Sequence, residues 1–131
     1  MKIKIVEENN LLTSDTSNFC KWIRQFHPDV TVSIPNNKTR YQLNDLSLIL
    51  PLVQLATSPD LLNYLNLTLE YMQFKFRGSM ESDNNVIEVM AEVESGRSGV
   101  SKRFQFRGTA SDYSRTVKKF DPNKFFSDNQ S

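Results

Sequence analysis

Apolar residues recur along this chain at two spacings, and the switches between them mark out its elements. In Lys2–Val6 they alternate with lysine, Ile3 and Ile5 falling on one side, which predicts a short half-buried strand. Glu7–Thr13 reads as a polar loop, and Ser14, Asp15 and Thr16 are each able to cap a helix that begins there. In that helix Phe19, Ile23 and Phe26 repeat at helical spacing with Trp22 beside them, while Lys21, Arg24 and Gln25 face outward. Pro28 disfavours helical geometry at His27 and ends it. Val30, Val32 and Ile34 then alternate as a second strand, closed by Pro35 and a polar turn over Asn36–Arg40.

The middle of the chain is richer in leucine and harder to divide. Asn44 or Asp45 caps the next segment. Leu46–Leu55 is apolar on nearly every side, which predicts a helix buried on several faces, with Pro51 as its kink or its first turn. Thr57-Ser58-Pro59 breaks it, and Ser58 with Pro59 starts another helix. Leu61, Leu62, Leu65, Leu69, Met72 and Phe76 follow helical spacing there, although Leu65–Tyr71 also alternates as a strand would. The helix is favoured by its cap, by Gly78 where a helix end takes a left-handed residue, and by Lys75 and Arg77 in the last turn, which suit the helix dipole.

Period two returns in Val86–Glu94, with Ile87, Val89, Ala91 and Val93 on one face. Gly96–Gly99 is a turn, and Val100–Arg107 comes back as the partner strand. Setting Ala91 opposite Phe104 and Val89 opposite Phe106 also sets Glu92 opposite Arg103 and Glu88 opposite Arg107. A slip of one residue would place buried side chains against charged ones, so this register is strongly preferred. Ser111–Phe120 is a last helix, with an Asp112 cap, Val117 and Phe120 inward, and Lys118 and Lys119 near its end. The expected fold is α+β: a small mixed sheet in the order β-α-β-α-α-β-β-α, with the helices on one face. Residues 1–120 make a single domain, and Asp121–Ser131 is a polar tail or short docked turn carrying Phe125 and Phe126. The string F-x-F-R-G occurs at Phe74–Gly78 and again at Phe104–Gly108. The first copy ends a helix and the second lies on a strand, so they are not a repeat.

Composition narrows the class. The 131 residues, 38% apolar and 24% charged, suit one globular domain with one core. The formal charge of +1 hides a basic C-terminal quarter: Val100–Lys124 holds seven cations against two anions. One cysteine, Cys20, excludes an internal disulfide and fits a reducing, cytoplasmic compartment. The polar, alternating N-terminus is unlike a signal peptide, and the most apolar run, Leu46–Ala56, is too short to span a membrane.

Candidate chemistry is sparse. Cys20 and His27 sit seven apart on one helix, about 10 Å along its axis, too far for a thiolate–imidazole pair without a bend. The only histidine stands beside a proline, which disfavours a Ser-His-Asp catalyst. Glu88, Glu92 and Glu94 share a strand face and resemble a metal or acid–base cluster, but Arg103 and Arg107 opposite them point to a solvated face. With one cysteine and one histidine no zinc site is expected, nor any cofactor or enzymatic activity. The basic quarter carries the competing reading. Lys102, Arg103, Arg107, Arg115, Lys118 and Lys119 would contact phosphates, and Phe104 and Phe106 would stack bases. "RFQFRG" lacks the glycine and the small residue of an RNA-recognition motif, so core phenylalanines are preferred.

The order of these segments resembles the family called effector-associated constant component, found in bacterial conflict systems. "KIKIVEE" is similar to its first strand, and "FCKWIRQFHPDVTVSI" to its amphipathic helix running into the second strand. "DLSLILPLVQLATSPDLLNYL" is similar to its buried helix, break and second helix, "YMQFKFRGS" to that helix's aromatic and basic end, and "NVIEVMAEVESGRSGVSKRFQF" to its terminal hairpin. The resemblance implies a non-enzymatic, partner-binding component of an antiviral defence system, coupling a sensor or NTPase to an effector such as a protease or TIR domain. The residues expected to remain exposed for a partner are Lys75, Arg77, Tyr113, Arg115, Phe125 and Phe126. Phe125 and Phe126 either dock on the domain or await the partner.

Overall fold

The computed structural model describes residues 1–7, 11–13, 15–35, 40–42, 48–77, 85–94 and 101–127. Strand β1 (Lys2–Val6) buries Ile3 and Ile5 and turns both lysines outward. Helix α1 (Thr16–Phe26) buries Phe19, Cys20, Trp22 and Ile23 and leads into β3 (Thr31–Ser33), which pairs parallel with β1. The Asp15 carboxylate does not cap α1: the Ile49 N–H donates to its Oδ2 at 2.8 Å. The expected loop before α1 contains a short strand, β2 (Leu11–Thr13), paired parallel with β4 (Arg40–Gln42), and Leu12 is drawn into the core. The proposed caps Asn44 and Asp45, the turn residues 36–39 and Gly78, Gly96 and Gly99 lie outside the described residues.

The segment expected as a buried helix is a strand. β5 (Leu48–Leu55) lies at the centre of a five-stranded sheet in which β6 is Val86–Glu94 and β7 is Ser101–Thr109, ordered β3-β1-β5-β6-β7. It pairs antiparallel with β1 and parallel with β6. A proline at the centre of a sheet removes a ladder hydrogen bond and is tolerated at bulges. Here the register steps from Ile49 opposite Glu88 to Leu52 opposite Met90, so Leu50 and Pro51 together face Val89. On its other side β1 pairs only as far as Val6 opposite Leu52, short of Pro51. The extra residue also switches which positions point inward, from Leu48 and Leu50 to Val53 and Leu55. A strand whose buried parity changes midway is apolar on both sides, which is why its sequence imitates a buried helix.

Helix α2 (Ser58–Phe76) is helical throughout the stretch that also alternated. Thr57 is its N-cap, one residue before the expected Ser58, and its left-handed end falls on Arg77 at φ 45°. Strands β6 and β7 (Ser101–Thr109) pair antiparallel without a slip, with Ala91 opposite Phe104, Val89 opposite Phe106, Glu92 opposite Arg103 and Glu88 opposite Arg107. Gly108 is the glycine of the second F-x-F-R-G. A side chain there would meet the Phe106 ring at 3.1 Å, so glycine lets that ring lie across the strand. Helix α3 (Ala110–Lys118) is capped by Thr109, whose hydroxyl accepts from the Asp112 N–H at 3.1 Å, and not by Asp112. Residues of the expected tail form a further helix, α4 (Pro122–Ser127).

The fold is therefore α+β, with a mixed sheet, and its observed order differs from the expected one at β2, β4, β5 and α4. Helices α1 and α2 meet through Phe19 and Tyr64, α2 and α3 through Thr68 and Tyr113, and α4 reaches Phe104 of β7. All four thus lie on the face where Ile3, Val53, Ala91 and Phe104 point. The opposite face carries Lys2, Lys4, Gln54, Glu92, Arg103 and Arg107. Met90 is buried there beneath Arg103, whose guanidinium lies 3.4 Å from its sulfur.

Candidate partner-binding surface

An aromatic cluster climbs out of the core between α1 and the last turns of α2. Phe19 is fully buried and its ring lies 5.0 Å from that of Tyr71. Trp22, 5% exposed, stands 5.2 Å from Tyr71 and 6.3 Å from Phe74. At the top are Phe26 and Phe74, 5.7 Å apart, 50% and 43% exposed. These two are the exposed large hydrophobic side chains among the described residues. Helical spacing predicts Phe26 inward with Phe19 and Ile23; it sits at the last residue of α1, half exposed, and reaches Phe74 instead. Phe74 continues the stripe of Leu67 and Tyr71 to the last turns of α2, where the cover over it ends.

The rim is basic. The Arg77 guanidinium lies over the Phe74 ring at 5.6 Å, a cation–π arrangement. Lys75 Nζ is 3.6 Å from Oδ1 of Asp15, the same carboxylate that accepts from Ile49. Lys21 lines the same groove, of about 460 Å³. At the far side His27 Nε2 and Glu70 Oε1 are 3.0 Å apart. Burial, with Asp15 nearby, pushes the Tyr71 phenol up to about 12, so it stays neutral beneath the cluster. The left-handed backbone at Arg77 is uncommon for a residue with a side chain. The guanidinium it carries lies back over Phe74.

Of the residues expected to face a partner, Lys75 and Arg77 come together here. Tyr113 does not belong to the surface. It is fully buried at the α2–α3 contact, its hydroxyl 2.7 Å from Thr68 Oγ1, because α3 turns it under Phe106 rather than outward. Arg115 is exposed and pairs with Asp112 on its own helix. Phe125 and Phe126 dock: the Phe125 ring lies 6.3 Å from Phe104 and 5.5 Å from Phe120, with Lys102 Nζ over it at 5.2 Å. Phe126 lines a groove of about 680 Å³ against Pro59 and Leu62 of α2.

The six cations of the nucleic-acid reading are divided between two faces. Lys102 turns to the helix side with Phe125, Arg103 and Arg107 lie on the open sheet face, Arg115 and Lys118 are on α3, and Lys119 caps its end. Phe104 and Phe106 point at the helices, where Phe106 packs on Tyr113, so neither ring is presented to a base. Cys20 is buried, which raises its thiol pKa, and His27 is turned to Glu70. Among the described residues no three His, Cys, Asp or Glu side chains are grouped as a cation site. No helix among them is long and apolar enough to cross a membrane.

No family model, curated protein or solved structure matches the chain.

Proposed function

We propose that this chain is a cytoplasmic, partner-binding component without catalytic activity of its own, and that its partner docks on the Phe26–Phe74 surface. The observation that carries this reading is the pairing of two half-exposed phenylalanines with a basic rim. An exposed apolar patch framed by polar residues is the usual mark of an interaction site. Aromatic and arginine side chains concentrate binding energy at such sites. Lys75 is balanced by Asp15, but Lys21 and Arg77 leave the groove beside the rings positive, which favours a different protein with an acidic surface over a second copy of the same charge.

The order of strand, amphipathic helix, strand, long helix and hairpin supports the resemblance to the effector-associated constant components, although the buried helix which that resemblance implies is, over Leu48–Leu55, a strand here. On this reading the partner is an effector-type protein, a protease, a TIR domain or an NTPase, encoded beside it. The test is co-expression with each such neighbouring gene product followed by co-purification. Retention of one of them, lost when Phe74 is replaced by Asp, supports the proposal. If none is retained, or if Phe74→Asp retains it fully, the surface is not a docking site.

A further inference from the structure

The sheet has two edges of very different kind. β3, at one edge, is three residues long. β7, at the other, is nine residues long, and pairs with β6 in unbroken register with no proline and no bulge. Among the described residues β7 has no other strand partner. Every second residue of an antiparallel edge strand turns its N–H and C=O away from the sheet, so a long straight edge is a template for another chain. Folded proteins usually blunt such edges by shortening, bulges or charge, and β7 uses charge alone.

That charge is specific in its pattern. On the open face β7 presents Arg103, Gln105 and Arg107, all exposed. In an antiparallel pairing of two β7 strands centred on Gln105, Arg103 would face the other copy's Arg107, and like charges directly opposite are destabilising. The strand that β7 does accept, β6, meets the same three residues with Glu92, Met90 and Glu88. On the other face Phe104 and Phe106 are covered by Tyr113, Phe120 and Phe125, so the open, charged face is the one that selects an incoming strand.

We infer that the outer edge of β7 binds an extended acidic segment of a partner protein, which adds a sixth strand to the sheet with carboxylates two positions either side of an uncharged residue. Main-chain hydrogen bonds hold such a strand and side-chain charge chooses it. The edge is built from other elements than the Phe26–Phe74 surface: that surface belongs to α1 and α2, whereas β7 packs against α3 and Phe125 of α4. The inference stands without that surface. With it, one small domain engages two proteins at once, which is what a coupling component has to do.

The probe is a capped peptide of the same length as β7 with glutamine at its centre, glutamate two positions either side and valine elsewhere, and its control has lysine in place of glutamate. Affinity is read by fluorescence polarisation at low salt, and the binding position by hydrogen exchange of Ser101–Thr109. The acidic peptide is expected to bind at least about tenfold tighter than the basic one, from two cross-strand charge pairs gained against two repulsions, and to slow exchange in β7. Arg103→Glu with Arg107→Glu inverts the preference. Should that variant fold poorly because Glu88 and Glu92 lose their partners, Arg103→Gln with Arg107→Gln is used, and it should shrink the preference to about threefold or less. Equal affinity for both peptides, protection at another segment, absence of binding, or self-association through β7 in place of peptide binding would each overturn the inference.

Discussion

Tyr64 and Tyr113 offer the same chemical change with opposite consequences. Both are fully buried on the helix side of the sheet. The Tyr113 hydroxyl has a partner: Thr68 Oγ1 donates to the Leu65 carbonyl at 2.8 Å, so Tyr113 donates to Thr68 at 2.7 Å. Among the described residues the Tyr64 hydroxyl has no partner. Replacing Tyr113 by Phe removes one buried hydrogen bond, a loss of about 1 kcal/mol, while Thr68 keeps its bond to Leu65. Replacing Tyr64 by Phe removes an unpaired buried hydroxyl, whose burial costs about 1–3 kcal/mol. The void left by one oxygen takes back only about 0.3 kcal/mol. The ring contact with Phe19, at 6.3 Å, is kept. Tyr64→Phe should therefore stabilise the fold by about 1 kcal/mol, and the two variants should differ by about 2 kcal/mol, roughly a thirtyfold change in the unfolding constant. Urea unfolding reads this directly as midpoints moving in opposite directions at constant slope. If Tyr64→Phe lowers the midpoint as much as Tyr113→Phe, the assignment of the two hydroxyls is wrong.

Three further outcomes follow from the same core and surface. Tyr64, Tyr71 and Tyr113 all hold their protons more tightly in the folded chain than in the unfolded one, chiefly through burial, so stability is full below pH of about 10 and falls as pH rises toward 12; tyrosinate absorbance should rise together with loss of circular dichroism. Independent early ionisation without unfolding would contradict this. Deleting Asn123–Ser131 removes Phe125 from Phe104 and Phe120, and should cost about 2–3 kcal/mol, or about 10 °C in melting temperature, whereas an undocked tail would leave the transition in place. Because its cations are split between faces, the chain should bind single-stranded DNA or RNA no tighter than about 10⁻⁵ M at physiological salt; a salt-dependent sub-micromolar complex would restore the nucleic-acid reading.

Where local pattern and tertiary environment agree, the sequence was legible. The β6–β7 register follows from charge and burial on opposite faces, and each cross-strand pair stands where alternation puts it. α2 resolves its ambiguity toward the helix because its leucines have both the sheet and neighbouring helices to pack against. β5 was misread because a central strand lacks a polar face, and the Leu50–Pro51 bulge removes the alternation that remained. The short β2–β4 pair had too few residues to show a period. At the surface, Lys75 and Arg77 were visible as cations at a helix end, but their aromatic companions were not. Phe26 fits the buried stripe of α1 by spacing alone, and only the position of the helix end relative to α2 exposes it. Tyr113 failed the other way: flanked by polar residues, it reads as surface until α3 is set against α2.

The most direct test of the partner surface is to measure folding stability and partner affinity on one variant, Phe26→Ser with Phe74→Ser. Both rings are about half exposed, so their combined loss should cost no more than about 2 kcal/mol of stability, against about 6–10 kcal/mol for two fully buried phenylalanines. Affinity for the co-purifying effector protein should fall by more than about a hundredfold, as expected when two central aromatic contacts are removed together. A variant that keeps its fold and loses its partner is the predicted result. One that still binds, or that loses binding only because it unfolds, would contradict the account.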